Sequence, residues 1–173
     1  MVVVFLTLMP ALALTACAGQ GNQADGGNSD ARQQVGQQET SATPEGIVSE
    51  GEALVIPVSD ITDTASFYTV EVEGTQMEVI AVKAPDGAVR TAFNTCHVCY
   101  DSGRGYYEQS GDKLVCRNCG NRFAMDRVET EAGGCNPWPI FAEDKTVTDE
   151  SITISYDFLK ESKEIFANWK QSY

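Results

Sequence analysis

The sequence predicts a mainly β protein, a small antiparallel β-domain that closes with a C-terminal helix. Short runs rich in β-branched and aromatic residues recur at hairpin spacing. Turn-forming pairs such as Asp86-Gly87 separate these runs. Near the C terminus, apolar residues instead recur at helical spacing from Phe158. The chain has 173 residues, which is the size of one domain with appendages.

The first segment, residues 1–16, carries no charge and consists mostly of Val, Leu, Ala and other apolar residues. It is shorter than the roughly 20 apolar residues of a spanning helix, and Pro10 interrupts it. It ends in Leu14-Thr15-Ala16-Cys17, which resembles the bacterial lipobox. This pattern predicts a lipoprotein signal peptide, with Cys17 as the lipidation site and the cell membrane, on its extracytoplasmic face, as the location. A cleavable signal with an incidental Cys, or an uncleaved anchor, is the alternative interpretation.

The second segment, residues 17–50, comprises Cys17 and a stretch rich in Gly, Gln, Asn, Ser and Ala. It has no aromatic residue and few branched apolar ones, so it cannot bury enough apolar area to offset the entropy of ordering. We expect a disordered tether there.

The third segment, residues 51–173, carries the β pattern. Strands are predicted at 53–58, 67–72, 77–82, 88–93, 113–116 and 152–156. A helix is predicted from Phe158 to about Trp169, capped by Ser155 or Asp157, with its apolar stripe packed in the core.

Charge and residue counts exclude several function classes. The 12 Lys and Arg against 25 Asp and Glu give a net charge of −13, which disfavours nucleic acid as a partner. The chain has one histidine, His97, so a site with two histidine ligands is excluded. The sequence has no nucleophile triad, HExxH motif, P-loop or dinucleotide fingerprint, so no independent enzyme is predicted.

Two C-x₂-C pairs, separated by sixteen residues, predict a metal site with Cys96, Cys99, Cys116 and Cys119 as ligands. Two residues between cysteines let one tight loop present both sulfur atoms to one metal. Cys135, in a Gly- and Pro-rich segment, is a further candidate ligand or part of a loop that closes over the site.

The residues alone leave three alternatives for these cysteines: they bind an iron–sulfur cluster, they bind a structural zinc ion, or they form two disulfides. The spacing by itself favours zinc. His97, Arg117 and Phe123 are expected around the ligands. His97 is interpreted first as a loop residue, with orienting a sulfur or replacing a ligand as the alternative. Arg117 is expected in a solvated or charge-offsetting basic group, and Phe123 is expected to exclude water. The nearby aromatic residues are interpreted as packing, and they are Tyr106, Tyr107, Trp138 and Phe141.

The order of these motifs resembles two known families. The two cysteine loops and the proline loop have the layout of a Rieske domain, with Cys in place of both His ligands. Residues 52–168 more closely resemble the FtrD-like family of membrane iron–sulfur proteins. The shared residues are Asp86-Gly87, Ala92-Phe93, Cys96-x-x-Cys99-Tyr100, Gly105-Tyr106, Cys116-x-Asn118-Cys119-Gly120, Phe123 and Gly133-Gly134-Cys135-Asn136-Pro137.

The resemblance implies a Rieske-like or zinc-ribbon-like arrangement of the two cysteine loops. It also implies an iron–sulfur centre for electron transfer, linked to ferrous iron transport and to a membrane redox or transport protein. One alternative is a zinc- or disulfide-stabilised interaction domain. A less favoured one is a thiol oxidoreductase that uses a C-x₂-C pair.

Overall fold

The computed structural model describes residues 45–171, which form eleven β-strands and one short α-helix. The predicted signal peptide, the predicted lipidation at Cys17 and residues 17–44 of the predicted tether lie outside the described residues. Within residues 45–171, no helix has the length and apolar character needed to cross a membrane. The strands are β1 (Glu45–Ile47), β2 (Ala53–Pro57), β3 (Ser66–Val72), β4 (Thr75–Lys83), β5 (Val89–Cys96), β6 (Tyr107–Ser110), β7 (Lys113–Cys116), β8 (Arg122–Ala124), β9 (Pro137–Pro139), β10 (Thr146–Val147) and β11 (Ser151–Ser155).

The predicted fold class is confirmed: the domain is mainly β, its strand pairs are antiparallel apart from one, and a short helix lies near the C terminus. All six predicted strands are present as β2, β3, β4, β5, β7 and β11. The exception in pairing is β1, which runs parallel to β3. Because β1 lies within the segment predicted as a tether, the folded structure begins earlier than residue 51.

A five-stranded sheet in the order β1-β3-β4-β5-β9 forms the centre of the domain. Its strand β4 is buried on both faces, which explains the near-continuous apolar run from Met77 to Val82. Successive residues point to opposite faces. Thus Val79 and Phe93 join one apolar cluster, whereas Ile80 and Ala92 join the other.

The two faces of this sheet are covered by different elements. The first cluster packs against the sheet β10-β11-β2 and the C-terminal segment, through residues such as Ile56, Ile154 and Leu159. The second packs against the hairpin sheet β6-β7-β8, through Leu114 and Phe123, and it also contains three of the cysteines. The candidate site therefore lies on the face of the central sheet that β6-β7-β8 covers.

The C-terminal helix α1 (Tyr156–Glu161) begins earlier and ends sooner than the sequence predicts. Ser155, one of the two predicted caps, accepts a hydrogen bond from the Phe158 backbone N–H. Ser162 donates to the Phe158 carbonyl, and the chain continues as a 3₁₀ turn over Ser162–Phe166. The tighter winding still places Phe166 and Trp169 in the core, where the predicted apolar stripe was expected.

Candidate metal centre

Three separate segments bring the five cysteines of the described chain together. Cys96 is the last residue of β5, and Cys99 follows in the loop after it. Cys116 is the last residue of β7, and Cys119 lies in the turn to β8. Cys135 precedes β9, whose Pro137 pairs with Cys96 across the central sheet. The strand pairing therefore joins residues that are far apart in sequence.

Four of the sulfur atoms form a tight group. The Sγ atoms of Cys96, Cys99, Cys116 and Cys135 all lie within 4.8 Å of one another. Three of these residues are buried, and Cys135 is partly exposed. The group differs from the set of four that the spacing predicts, because Cys135 takes part and Cys119 does not.

Cys119 lies next to this group, at its solvent-facing side. Its Sγ is 2.9 Å from the Sγ of Cys135, which in turn lies 3.3 Å from the Sγ of Cys96. Cys119 is exposed, unlike Cys96, Cys99 and Cys116. All five predicted candidates therefore come together, with Cys135 between the two C-x₂-C loops.

Backbone contacts fix the first cysteine loop. The Cys96 N–H donates to the Gly105 carbonyl at 2.6 Å, and the Ser102 hydroxyl and N–H both donate to the Cys99 carbonyl. Gly105 passes so close to this loop that a Cβ built on it would lie 2.2 Å from the Cys99 carbonyl oxygen. A residue without a side chain is therefore required at position 105, a role that the sequence does not reveal.

The second cysteine loop is a tight turn between β7 and β8. The Cys116 N–H donates to the Asn121 carbonyl and the Gly120 N–H donates to the Cys116 carbonyl, both at 2.9 Å. Gly120 has a φ of 75°, a backbone conformation that favours glycine. The Asn121 side chain donates to the Cys135 carbonyl at 2.9 Å, which ties this turn to the third segment.

A buried ion pair anchors the segment that leads to Cys135. The Lys145 ammonium, whose side chain is 2% exposed, pairs with the Glu129 carboxylate. The same carboxylate accepts a hydrogen bond from the Thr91 N–H of β5 at 2.8 Å, and Lys145 also donates to the Thr91 hydroxyl. These contacts hold the beginning of the segment against the central sheet, because unpairing a buried charge is costly.

The five thiols differ in acidity. Burial raises the pKa of Cys116 to about 12, and burial likewise raises the pKa values of Cys99 and Cys135. For Cys96, burial works in the same direction, but the Tyr107 hydroxyl, two backbone N–H groups and the Cys135 thiol outweigh it, so the pKa falls. The Cys135 thiol and the Asn121 N–H lower the pKa of Cys119 to about 7. One cysteine from each C-x₂-C pair thus has a lowered thiol pKa.

The exposed Cys119 is expected to be the first thiol alkylated when the metal-depleted protein is treated with iodoacetamide. The thiolate is the attacking species, so the rate should rise with pH through about 7, and should fall below it. Peptide mapping by mass spectrometry identifies the alkylated residue, and Cys119→Ser serves as the control. Faster labelling of Cys116 would contradict the exposure and acidity described above.

His97 lies beside the cysteines without joining the group of four. Its ring stacks on Trp138, with centroids 3.8 Å apart and planes 7° from parallel. The backbone N–H of His97 donates to the Asn136 carbonyl at 3.1 Å. Burial lowers the pKa of His97, which favours the neutral ring. Trp138 therefore packs against His97, in line with the packing role that the sequence predicts for it.

Phe123 and Arg117 occupy different environments. Phe123 is buried in the cluster that contains Cys96, Cys99 and Cys116. Arg117 is exposed, and its guanidinium pairs with the Glu108 carboxylate at 3.5 Å. The contacts of Arg117 therefore favour the solvated-face interpretation of the basic residues.

Within the described residues, two buried side-chain polar atoms have no hydrogen-bond partner, and both belong to this region: the Tyr107 hydroxyl oxygen and His97 Nε2. The sequence assigns Tyr107 to packing alone.

The donor set consists of soft thiols, which suits iron–sulfur clusters or zinc. The residues present therefore fit a thiolate-ligated metal group.

Comparison with known proteins gives one family. The family model described as "Membrane iron-sulfur containing protein FtrD-like" matches residues 61–166, which is more than half of the chain. No curated protein matches the chain.

Proposed function

The chain belongs to the FtrD-like family, and from this membership together with the cysteine geometry we propose that the domain holds an iron–sulfur centre and serves as an electron-transfer component. The observation that carries the proposal is the group of four sulfur atoms within 4.8 Å of one another. The cysteine spacing alone does not distinguish an iron–sulfur cluster from a zinc ion. The family is described as containing iron–sulfur, and this description favours the cluster.

We assign the ligands as Cys96, Cys99, Cys116 and Cys135, because these four sulfur atoms are the mutually close ones. Cys119 then remains as an exposed thiol beside Cys135, 2.9 Å away. The set predicted from spacing, with Cys119 in place of Cys135, is the competing assignment. The two assignments differ in one residue, so single substitutions separate them.

When bound, such a centre supplies reversible one-electron transfer. The chain's own residues contribute the surroundings. Phe123 and Tyr107 are buried in the same cluster as the ligands and exclude water from them. Backbone N–H groups of Val98 and Cys99 favour the thiolate of Cys96, and that of Asn121 favours the thiolate of Cys119.

The partner in this proposal is a membrane redox or transport protein, with a link to iron transport. The family is described as one of membrane proteins, and Cys17 is the proposed point of lipid attachment, which would place the domain at the extracytoplasmic face. Two acyl chains give stable anchoring, whereas one chain gives only marginal binding. We expect Cys17→Ala to move the protein out of the membrane fraction, and unchanged fractionation would contradict lipid anchoring.

The deciding experiment is anaerobic purification of the full chain, followed by analysis of iron, zinc and acid-labile sulfide. We expect iron with a matching amount of labile sulfide, and a visible spectrum that bleaches on one-electron reduction. A colourless protein with no redox response, after cluster reconstitution, would overturn the electron-transfer proposal.

A structural zinc site is the second candidate, because four sulfur atoms so close together also suit one tetrahedral ion. It would give about one zinc per chain without labile sulfide. Disulfides give a third outcome of the same experiment, since each one lowers the intact mass under denaturing conditions by the mass of two hydrogen atoms. The described structure has its five cysteines as free thiols.

A further inference from the structure

Tyr107 presents a buried hydroxyl to the cysteine group without a hydrogen-bond partner. The residue is 1% exposed and is among the largest fully buried side chains. Its hydroxyl oxygen has no partner of good geometry within the described residues. A buried hydroxyl left unpaired is costly, so its persistence in a core position needs a reason.

Tyr107 belongs to the same buried cluster as Cys96, Cys99 and Cys116, and Cys135 packs against this cluster. Tyr107 also pairs directly with Cys116 across β6 and β7. The ring is therefore buried together with these cysteines, whereas Cys119 is exposed.

Asn94 holds Tyr107 in this position. Its side-chain oxygen accepts from the Tyr107 N–H at 2.7 Å, and its amide donates to the Tyr107 carbonyl at 3.2 Å. The same amide donates to the buried Glu78 carboxylate, and the Trp169 indole N–H donates to the Asn94 carbonyl at 2.8 Å. The backbone of Tyr107 is thus fixed on the face of β5 that also carries Cys96, two residues beyond Asn94.

We propose that Tyr107 is a positioning residue. Its hydroxyl donates a hydrogen bond to the Cys96 thiolate of the bound centre, and this hydrogen bond raises the reduction potential of the centre. The proposal rests on the proposed function, because it requires a redox centre on these cysteines. Reduction adds negative charge at the sulfur atoms, so a donor aimed at one of them stabilises the reduced state more than the oxidised state. The Tyr107 hydroxyl, which has no hydrogen-bond partner of good geometry in the described structure, then gains one.

The test is Tyr107→Phe in the full chain, which removes the hydroxyl and keeps the ring. Spectro-electrochemical titration of the anaerobically purified protein measures the midpoint potential. We expect the equilibrium constant for reduction of the centre to fall about tenfold. For a one-electron centre this corresponds to a midpoint potential lower by about 59 mV. Iron and sulfide contents should stay at the wild-type level, because the substitution leaves the thiol ligands in place.

Tyr156→Phe is the matched control. Tyr156 also has a low exposed fraction, but its hydroxyl donates to Glu73 at 2.9 Å and it belongs to the other apolar cluster. Its substitution should leave the midpoint potential unchanged.

The outcomes separate the two levels of the proposal. A wild-type protein with no redox centre would overturn the proposed function together with this inference. A redox centre whose potential is the same in wild type and Tyr107→Phe would overturn the inference alone. A Tyr107→Phe chain that assembles no centre, while Tyr156→Phe does, would also overturn it, because the hydroxyl would then serve assembly rather than the potential.

Discussion

Replacing Cys116 by serine is expected to abolish metal binding and to remove most of the stability of the domain. Cys116 is buried, and its sulfur belongs to the group of four. Serine offers a hard oxygen in place of the soft thiolate that these metals prefer. Structural thiolate sites contribute on the order of 10 kcal/mol of apparent binding free energy, and that free energy is folding free energy. Metal content per chain and the urea midpoint are the two measurements.

Cys119→Ser is the matched control, since it makes the same chemical change at the exposed neighbour of the group. We expect it to retain metal, and Cys135→Ser to lose metal as Cys116→Ser does. The reverse result, with Cys135→Ser retaining metal and Cys119→Ser losing it, would restore the set of ligands predicted from spacing. Full metal retention in Cys116→Ser would contradict both sets.

Gly105→Ala is expected to have the second-largest effect, although position 105 carries no ligand. The added Cβ would lie 2.2 Å from the Cys99 carbonyl oxygen and 2.7 Å from the Tyr100 nitrogen, both of which are backbone atoms that cannot rotate away. The loop that carries Cys99 must therefore shift. Overpacking of this kind costs about 1–3 kcal/mol, and we expect a loss near the upper end, about 3 kcal/mol, because the close neighbour is a peptide group and not a flexible side chain. The measurements are the urea midpoint and metal content.

Gly46→Ala controls for the general effect of adding a methyl group to a glycine. A Cβ at Gly46 meets no atom within 4 Å, and its backbone does not adopt a positive φ. This variant should match wild type in metal content. Equal metal loss in the two variants, or none in either, would show that the close approach at Gly105 does not control the geometry of the cysteine loop.

The sequence predicts the strands well where they show alternation and clear turns. It does not predict β9, whose Pro137 and Pro139 are typical of a turn. Proline is nonetheless accommodated at the edge of a sheet, where an N–H is not needed, and β9 is the edge strand next to β5. The C-terminal helix is predicted too long, because a stripe of apolar residues does not reveal that Ser162 will bond to the Phe158 carbonyl and tighten the chain.

The sequence identifies all five cysteines of the candidate site from local signals. Four are identified by the spacing of the two C-x₂-C pairs, and Cys135 is identified by its Gly- and Pro-rich segment. It does not place Cys135 relative to the two pairs. That position depends on the pairing of Pro137 with Cys96 and on the buried Lys145–Glu129 pair, and both are contacts between distant parts of the chain. The hydrogen bond from the Tyr107 N–H to the Asn94 side chain also joins two separate strands, and no local residue pattern predicts it.

The order of the central sheet has a consequence for how the domain can be approached. The polypeptide enters the described structure at β1, one edge of the sheet, whereas the cysteines gather at β5 and β9, the other edge. Four strand spacings of about 4.8 Å separate the two edges, roughly 19 Å. The cysteines and the first described strand therefore lie towards opposite edges of the sheet, so a protein that binds directly over Cys119 does not need β1 as part of its contact surface.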